Sequence, residues 1–193
     1  MISYDSHTAL VVVDVQNDFA DPNGSLFVTG GDAVVPRVNI EVMRALSAGA
    51  FVVYTQDWHP ESTPHFEKDG GIWPVHCVKD TWGAELHPGL EVSGPVVRKG
   101  SNGEDGYSGF TMRDPVTGEE IPTPLRGMLQ EREIERVVVV GLALDVCVKA
   151  TALDAVRDFE TSVVANASAA VELEPGDSAR ALGELRSNAV TVV

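Results

Sequence analysis

Three residues of this chain could together break an amide bond: Asp14 in VVVDVQNDF, Lys99 in VVRKG and Cys147 in GLALDVCVKA. A free thiol, with a pKa near ~8.5, is mostly protonated at neutral pH and must be activated before it attacks. Lys99 offers an ammonium to favour the thiolate, and Asp14 offers a carboxylate to take the proton. A helix opening at Asp145, read as its cap, would add the positive end of its dipole two residues before the sulfur. Such a set suits acyl transfer in which the departing amine needs a proton back. The backbone N–H groups of Ala143 and Cys147, where a loop enters a helix, are candidate oxyanion donors. Taken singly, each residue has a plainer reading: Cys147 a small buried hydrophobe, Asp14 a turn former, Lys99 a solvated lysine.

A second group lies in QDWHPESTPHF and IWPVHCV, where Asp57, His59, His65 and His76 offer one carboxylate and three imidazoles. Three of the five histidines of the chain fall in this short region. One carboxylate with several imidazoles and room for water suits a single divalent ion, zinc, iron or manganese. The lack of a cysteine ligand argues against a closed structural zinc site. Phe19, Trp58, Trp73 and Tyr107 are the aromatic residues nearby, and Phe19, Trp73 and Tyr107 are the expected walls for a flat ring substrate.

These residues are spread along the sequence, so the elements between them must gather them. Short β-branched runs alternate with segments of helical period, the pattern of parallel strands joined by crossover helices. Strands are expected at 9–13, 50–55, 95–99, 136–141, 161–166 and 189–193. Helices are expected from Pro36 to Gly49 with Val35, Val38, Val42 and Leu46 on one face, across 124–133, from Asp145 to about Phe159 with Val148, Ala152 and Ala155 inward, and across 175–188. The fold class is therefore α/β, an open, mostly parallel six-stranded sheet with helices on both faces, formed by one domain over residues 1–193. Asp14, Asp57, Lys99 and the 141–147 segment then all fall at the carboxyl edge of the sheet, where ligand crevices form. If the first and fourth strands are neighbours, the crevice lies between Asp14 and Cys147.

Composition narrows the partners. The chain has 193 residues and a formal net charge of -15, a field that repels nucleic acid and acidic membrane surfaces and leaves a small molecule as the expected partner. Two cysteines do not make a disulfide framework at this length, and the opening MISYDSHTAL lacks a basic segment followed by a long apolar core. The longest apolar run, VVVVGLAL, is far short of the roughly 20 residues that cross a bilayer. A cytoplasmic setting is expected, and a homo-oligomer is compatible with it.

The motifs DVQNDF, DWH with His65, WPVHC, RKG, YSGF and GLALDVCV resemble, in kind and order, the nicotinamidase type of the isochorismatase-like cysteine hydrolases. The resemblance runs from about Leu10 to the last strand. It implies hydrolysis of nicotinamide or a related aromatic amide through a cysteine thioester, with Asp14, Lys99 and Cys147 as the triad, Asp57, His59, His65 and His76 as the metal ligands, and a cis Leu142–Ala143 peptide. Val146 departs from the polar or aromatic residue common before the cysteine, and the motifs leave the connection Thr111–Pro124 without a role. The same scaffold could also serve hydrolysis of another small amide or an ether, or non-catalytic binding. Ether hydrolysis needs neither the thiol nor the metal ligands, and a binding protein has no use for the triad.

Overall fold

The computed structural model describes residues 2–193. Six strands form one parallel sheet: β1 (Thr8–Val13), β2 (Phe51–Asp57), β3 (Val96–Lys99), β6 (Arg136–Leu142), β7 (Glu160–Ala169) and β8 (Thr191–Val192), in spatial order β3-β2-β1-β6-β7-β8. The remaining two, β4 (Thr111–Arg113) and β5 (Glu120–Pro122), form a separate antiparallel hairpin. The connection that the motifs left unexplained is this hairpin. Strand order reverses between β1 and β6, the first and fourth strands of the sequence reading, and the crevice opens there as expected.

Period-two alternation assigns each strand residue to a face. In β1, Leu10 and Val12 join the core layer under α2 (Gly31–Ser47), while Ala9, Val11 and Val13 join the layer under α3 (Leu125–Gln130), α4 (Lys149–Ala155) and α5 (Asp177–Ser187). Helices therefore cover both faces of the sheet. The remaining helix, α1 (Asn17–Ala20), is a single turn after β1. Among the described residues no helix is long and apolar enough to cross a membrane.

Several boundaries differ from the sequence expectation. Helix α2 begins at Gly31, not at Pro36, because burial of Val34 and Val35 carries it a turn further. Its inner face is Val35, Val38, Val42 and Ala45, whereas Leu46 is exposed. Strand β7 runs to Ala169, past the expected Asn166, and β8 keeps only two of the expected five residues. Asp145 caps nothing. It sits inside a single π-turn, Leu144–Val148, whose N-cap position is Ala143, and its carboxylate accepts the backbone N–H groups of Val171 and Glu172 at 2.9 Å each. Val148, Ala152 and Ala155 are inward as expected.

Register brings the chemistry together. Asp57, expected beyond its strand, is the last residue of β2 and pairs in register with Lys99, while Val13 pairs with Gly141. Gly141 has φ +113, and a Cβ there would run into the Val13 carbonyl oxygen. Only glycine lets β6 lie this close to β1 at the edge where Asp14 emerges.

Candidate active site

Lys99 is the centre of the site. It is 1% exposed, so the solvated reading fails, and its Nζ lies 2.9 Å from Asp14 Oδ2, donates to Asp57 Oδ1 and stands 3.8 Å from Cys147 Sγ. Burial alone would strip its proton, but the Asp14 and Asp57 carboxylates overcome this and hold the ammonium well above the ordinary lysine range. Asp57 is pulled the other way: burial opposes its charge, yet the Lys99 ammonium that donates to it holds it below the usual carboxylate range. For Asp14, burial wins against Lys99, and its pKa rises to about 6. Thr55 Oγ1 donates to Asp14 Oδ1 at 2.6 Å and fixes the carboxylate toward the sulfur.

Cys147 is 7% exposed. Burial pushes its thiol well above the ordinary range; Lys99 opposes this, and the carboxylates of Asp14 and Asp57 add to it. The sequence expected Lys99 and the helix end to favour a thiolate. In the structure the ammonium is already neutralised by two acids, and the resting nucleophile is a thiol. Moving its proton to Asp14 leaves the net charge of the buried cluster unchanged, so activation can await the substrate without exposing a new charge to a poor dielectric. The Leu142–Ala143 peptide is cis, and the Ala143 carbonyl accepts from the N–H groups of Val146 and Val148, which anchors the turn bearing Cys147.

These contacts give a stability expectation. Lys99→Met leaves two buried carboxylates without their cation, which should cost about 3–5 kcal/mol in urea unfolding of the metal-free protein. A loss under about 1 kcal/mol would show that the cation does not hold the cluster together.

The histidines form a second cluster. One ring nitrogen from each of His59, His65 and His76 lies within 4.8 Å of the others, and all three residues are buried. A carbonyl or carboxylate oxygen can only accept, so His76 Nδ1 donates to Pro74 O at 2.7 Å and His65 Nδ1 donates to Asp105 Oδ1 at 2.6 Å. That turns both Nε2 atoms away from those partners. His59 has neither ring nitrogen hydrogen-bonded among the described residues, a costly state for a buried imidazole, and its Nε2 stands 3.9 Å from Asp57 Oδ2. Burial lowers the pKa of His59 to about 4, and burial lowers that of His76 also, so both rings are neutral, the form that ligates metals. Gly100 makes room for His59, since a Cβ there would lie 2.6 Å from Nδ1. Neutral imidazoles, one orphaned ring and a facing carboxylate fit one divalent ion. Asp57 belongs to both clusters: one oxygen faces Lys99, and the other faces His59.

Between the clusters opens a cleft of about 350 Å³, mouth included. Phe19, Trp73 and Tyr107 line it as expected, with Trp73 Nε1 donating to the Tyr107 hydroxyl at 3.1 Å, and Cys147, Ala143 and His76 reach its floor. Trp58 does not line it; the Arg98 guanidinium lies 3.8 Å from its ring centroid. The sequence reading missed Leu26, Val28 and Val171, apolar lining residues with no chemical signature, while Val146, noted there as a departure before the cysteine, also lines the cleft. Thr55 was also missed, although it stands two residues before Asp57 in the same strand. Gln16 was missed too: its amide donates to Asp57 O at 2.7 Å and accepts from Asp57 N at 2.8 Å, clamping that residue's backbone. Its place between two acids in DVQNDF was the available signal.

A family model described as "Isochorismatase domain" matches residues 8–193. The Escherichia coli nicotinamidase is 35% identical over 203 residues, covering 95% of this chain and 93% of its own length. The Mycobacterium tuberculosis nicotinamidase/pyrazinamidase is 39% identical over 191 residues, covering 96% and 97%. Among solved structures, the pyrazinamidase of Pyrococcus horikoshii in complex with zinc superposes with a TM-score of 0.85 at 38% identity, covering 97% of this chain and 98% of that one. A protein of L. infantum in complex with nicotinate gives 0.88 at 36%, covering 100% and 95%.

Proposed function

The chain belongs to the isochorismatase family, and from that premise we propose that it hydrolyses nicotinamide to nicotinate and ammonia. The observation that carries this reading is Lys99 Nζ, set among Asp14, Asp57 and Cys147, the last two of which line an aromatic-walled cleft. The nicotinamidase names of relatives that match nearly the full chain support it.

In this mechanism Cys147 Sγ attacks the carboxamide carbon as its proton passes to Asp14. The N–H groups of Ala143 and Cys147 donate to the oxyanion, and Lys99 balances the negative charge that remains on the cluster. Asp14 then returns the proton to the amide nitrogen, the C–N bond breaks, and ammonia leaves a thioester on Cys147. Asp14 next takes a proton from water attacking the thioester and passes it to Sγ as the C–S bond breaks, which restores the thiol, and the acid departs as nicotinate with its remaining proton lost to solvent. Phe19, Trp73 and Tyr107 hold the flat ring so that the carboxamide meets the sulfur.

Asp57, His59, His65 and His76 would hold one divalent ion, zinc, iron or manganese, which would supply Lewis-acid chemistry beside the substrate ring, while the residues themselves orient the pyridine nitrogen toward that corner of the cleft. The zinc complex of the Pyrococcus relative supports a metal in this fold, and the orphaned His59 ring supports it in this chain. Both cysteines are unpaired, which supports a reducing, cytoplasmic setting.

The test is ammonia release from nicotinamide by the purified protein. Turnover in the ordinary enzyme range, about 1–10³ s⁻¹, is expected. No release with the metal-loaded protein would sink the reading.

A further inference from the structure

Asp105 stands outside the triad and the metal ligands, yet its carboxylate takes the Nδ1–H of His65 at 2.6 Å. Its backbone is tied to the hairpin: Asp105 N donates to Arg113 O at 2.8 Å, and Arg113 N donates back to Asp105 O at 2.5 Å. The same Oδ1 also accepts the Gly106 N–H at 2.8 Å, so the carboxylate cannot swing freely. The plane of the His65 ring is set separately, by stacking against His59 at 4.8 Å and Trp73 at 6.4 Å between centroids. What the carboxylate decides is therefore which ring nitrogen carries the proton. His76 needs no such partner, because a backbone carbonyl fixes its tautomer. His65 has no carbonyl in that role, and Asp105, a loop residue paired with the hairpin, supplies a side chain instead.

We infer that Asp105, held in place by the β4–β5 hairpin, is a positioning residue for the metal centre: by accepting the Nδ1–H of His65 it commits Nε2 of that ring to the ion. This rests on the reading that the histidines hold a metal. It gives the 111–122 segment a function, and it makes the outer carboxylate as much a part of the site as the ligand it orients.

The experiment has two readouts. Zinc affinity is measured by competition with a chromophoric chelator. The histidine tautomers of the metal-free protein are read from long-range ¹H–¹⁵N spectra. In the wild-type protein His65 is expected as the Nδ1–H tautomer. Asp105→Ala should weaken zinc binding by about 10–100-fold and mix the His65 tautomers while leaving His76 unchanged. Asp105→Asn keeps an acceptor oxygen for both N–H groups and should recover most of the affinity. Zinc affinity within twofold of wild type for Asp105→Ala overturns the inference, as does lost affinity with an unchanged His65 tautomer, or a wild-type His65 protonated on Nε2. Wild-type protein that takes up no zinc overturns the metal reading and this inference with it.

Discussion

Cys147→Ala is expected to abolish nicotinamide hydrolysis, lowering kcat by about 10⁴-fold or more, while the protein remains folded. Removing a covalent nucleophile costs on this scale because the remaining groups retain binding and oxyanion donation but have no acyl carrier. The fold should tolerate the change, since Cys147 packs as a small side chain on a turn anchored through the Ala143 carbonyl, and alanine fills most of the same space. Cys77→Ala is the contrasting case. Cys77 is fully buried next to His76, and its backbone N–H donates to Asp18 Oδ2 at 2.7 Å, a bond made by the main chain and kept in the variant. Cys77 does not line the cleft, so its sulfur does not meet the substrate. Steady-state ammonia release from both variants, with circular dichroism as the check on folding, decides the matter. Retention of more than a few per cent of turnover by Cys147→Ala, or complete loss in Cys77→Ala with metal still bound, would show that the thioester was assigned to the wrong sulfur or does not form.

Benzamide is expected to be cut about 10⁴ to 10⁵ times less efficiently than nicotinamide, in kcat/KM, by the metal-loaded protein. The two amides share shape and leaving group and differ at one ring atom. A site built around a polar substrate group rejects an analogue that lacks it on this scale, well beyond the roughly 10 to 200-fold set by one apolar contact. His65, His76 and Asp57 all line the cleft with Cys147, so a ring held between Phe19, Trp73 and Tyr107 has one edge toward the histidines and its carboxamide toward the sulfur. Removing the metal should lower nicotinamide hydrolysis toward the benzamide rate and leave benzamide hydrolysis nearly unchanged. Hydrolysis of both amides within tenfold of one another, or nicotinamide turnover indifferent to metal removal, would separate the histidine cluster from substrate recognition.

The sequence by itself determined the layered α/β sheet and the edge on which the chemistry sits. The β-branched runs declare the strands, and four of the six lead to a reactive residue. Val13 leads to Asp14, β2 and β3 end in Asp57 and Lys99, and β6 leads to Cys147. That arrangement survives any error of a residue or two at a boundary. The clustering of histidines was equally legible, because three of five in one loop region is a local property.

What only the tertiary structure decided depends on partners far away in the chain. Asp145 looks like a cap because Asp before an apolar run usually is one, but its carboxylate goes to N–H groups 26 and 27 residues on, and no local pattern carries that. The charge on Lys99 was expected to act on the thiol. Register instead places Asp57 beside it, and the pairing of β1 with β2 delivers Asp14, so the ammonium is matched twice over and the cysteine rests protonated. The role of Asp105 likewise exists only because the loop that carries it, pinned to the hairpin at Arg113, meets a ring 40 residues away. Burial and pairing, which set protonation states, depend on every element that packs around a group, whereas strand and helix periods depend on a few neighbours. For that reason the sequence showed which residues meet, and folding alone decided which of them hold their protons.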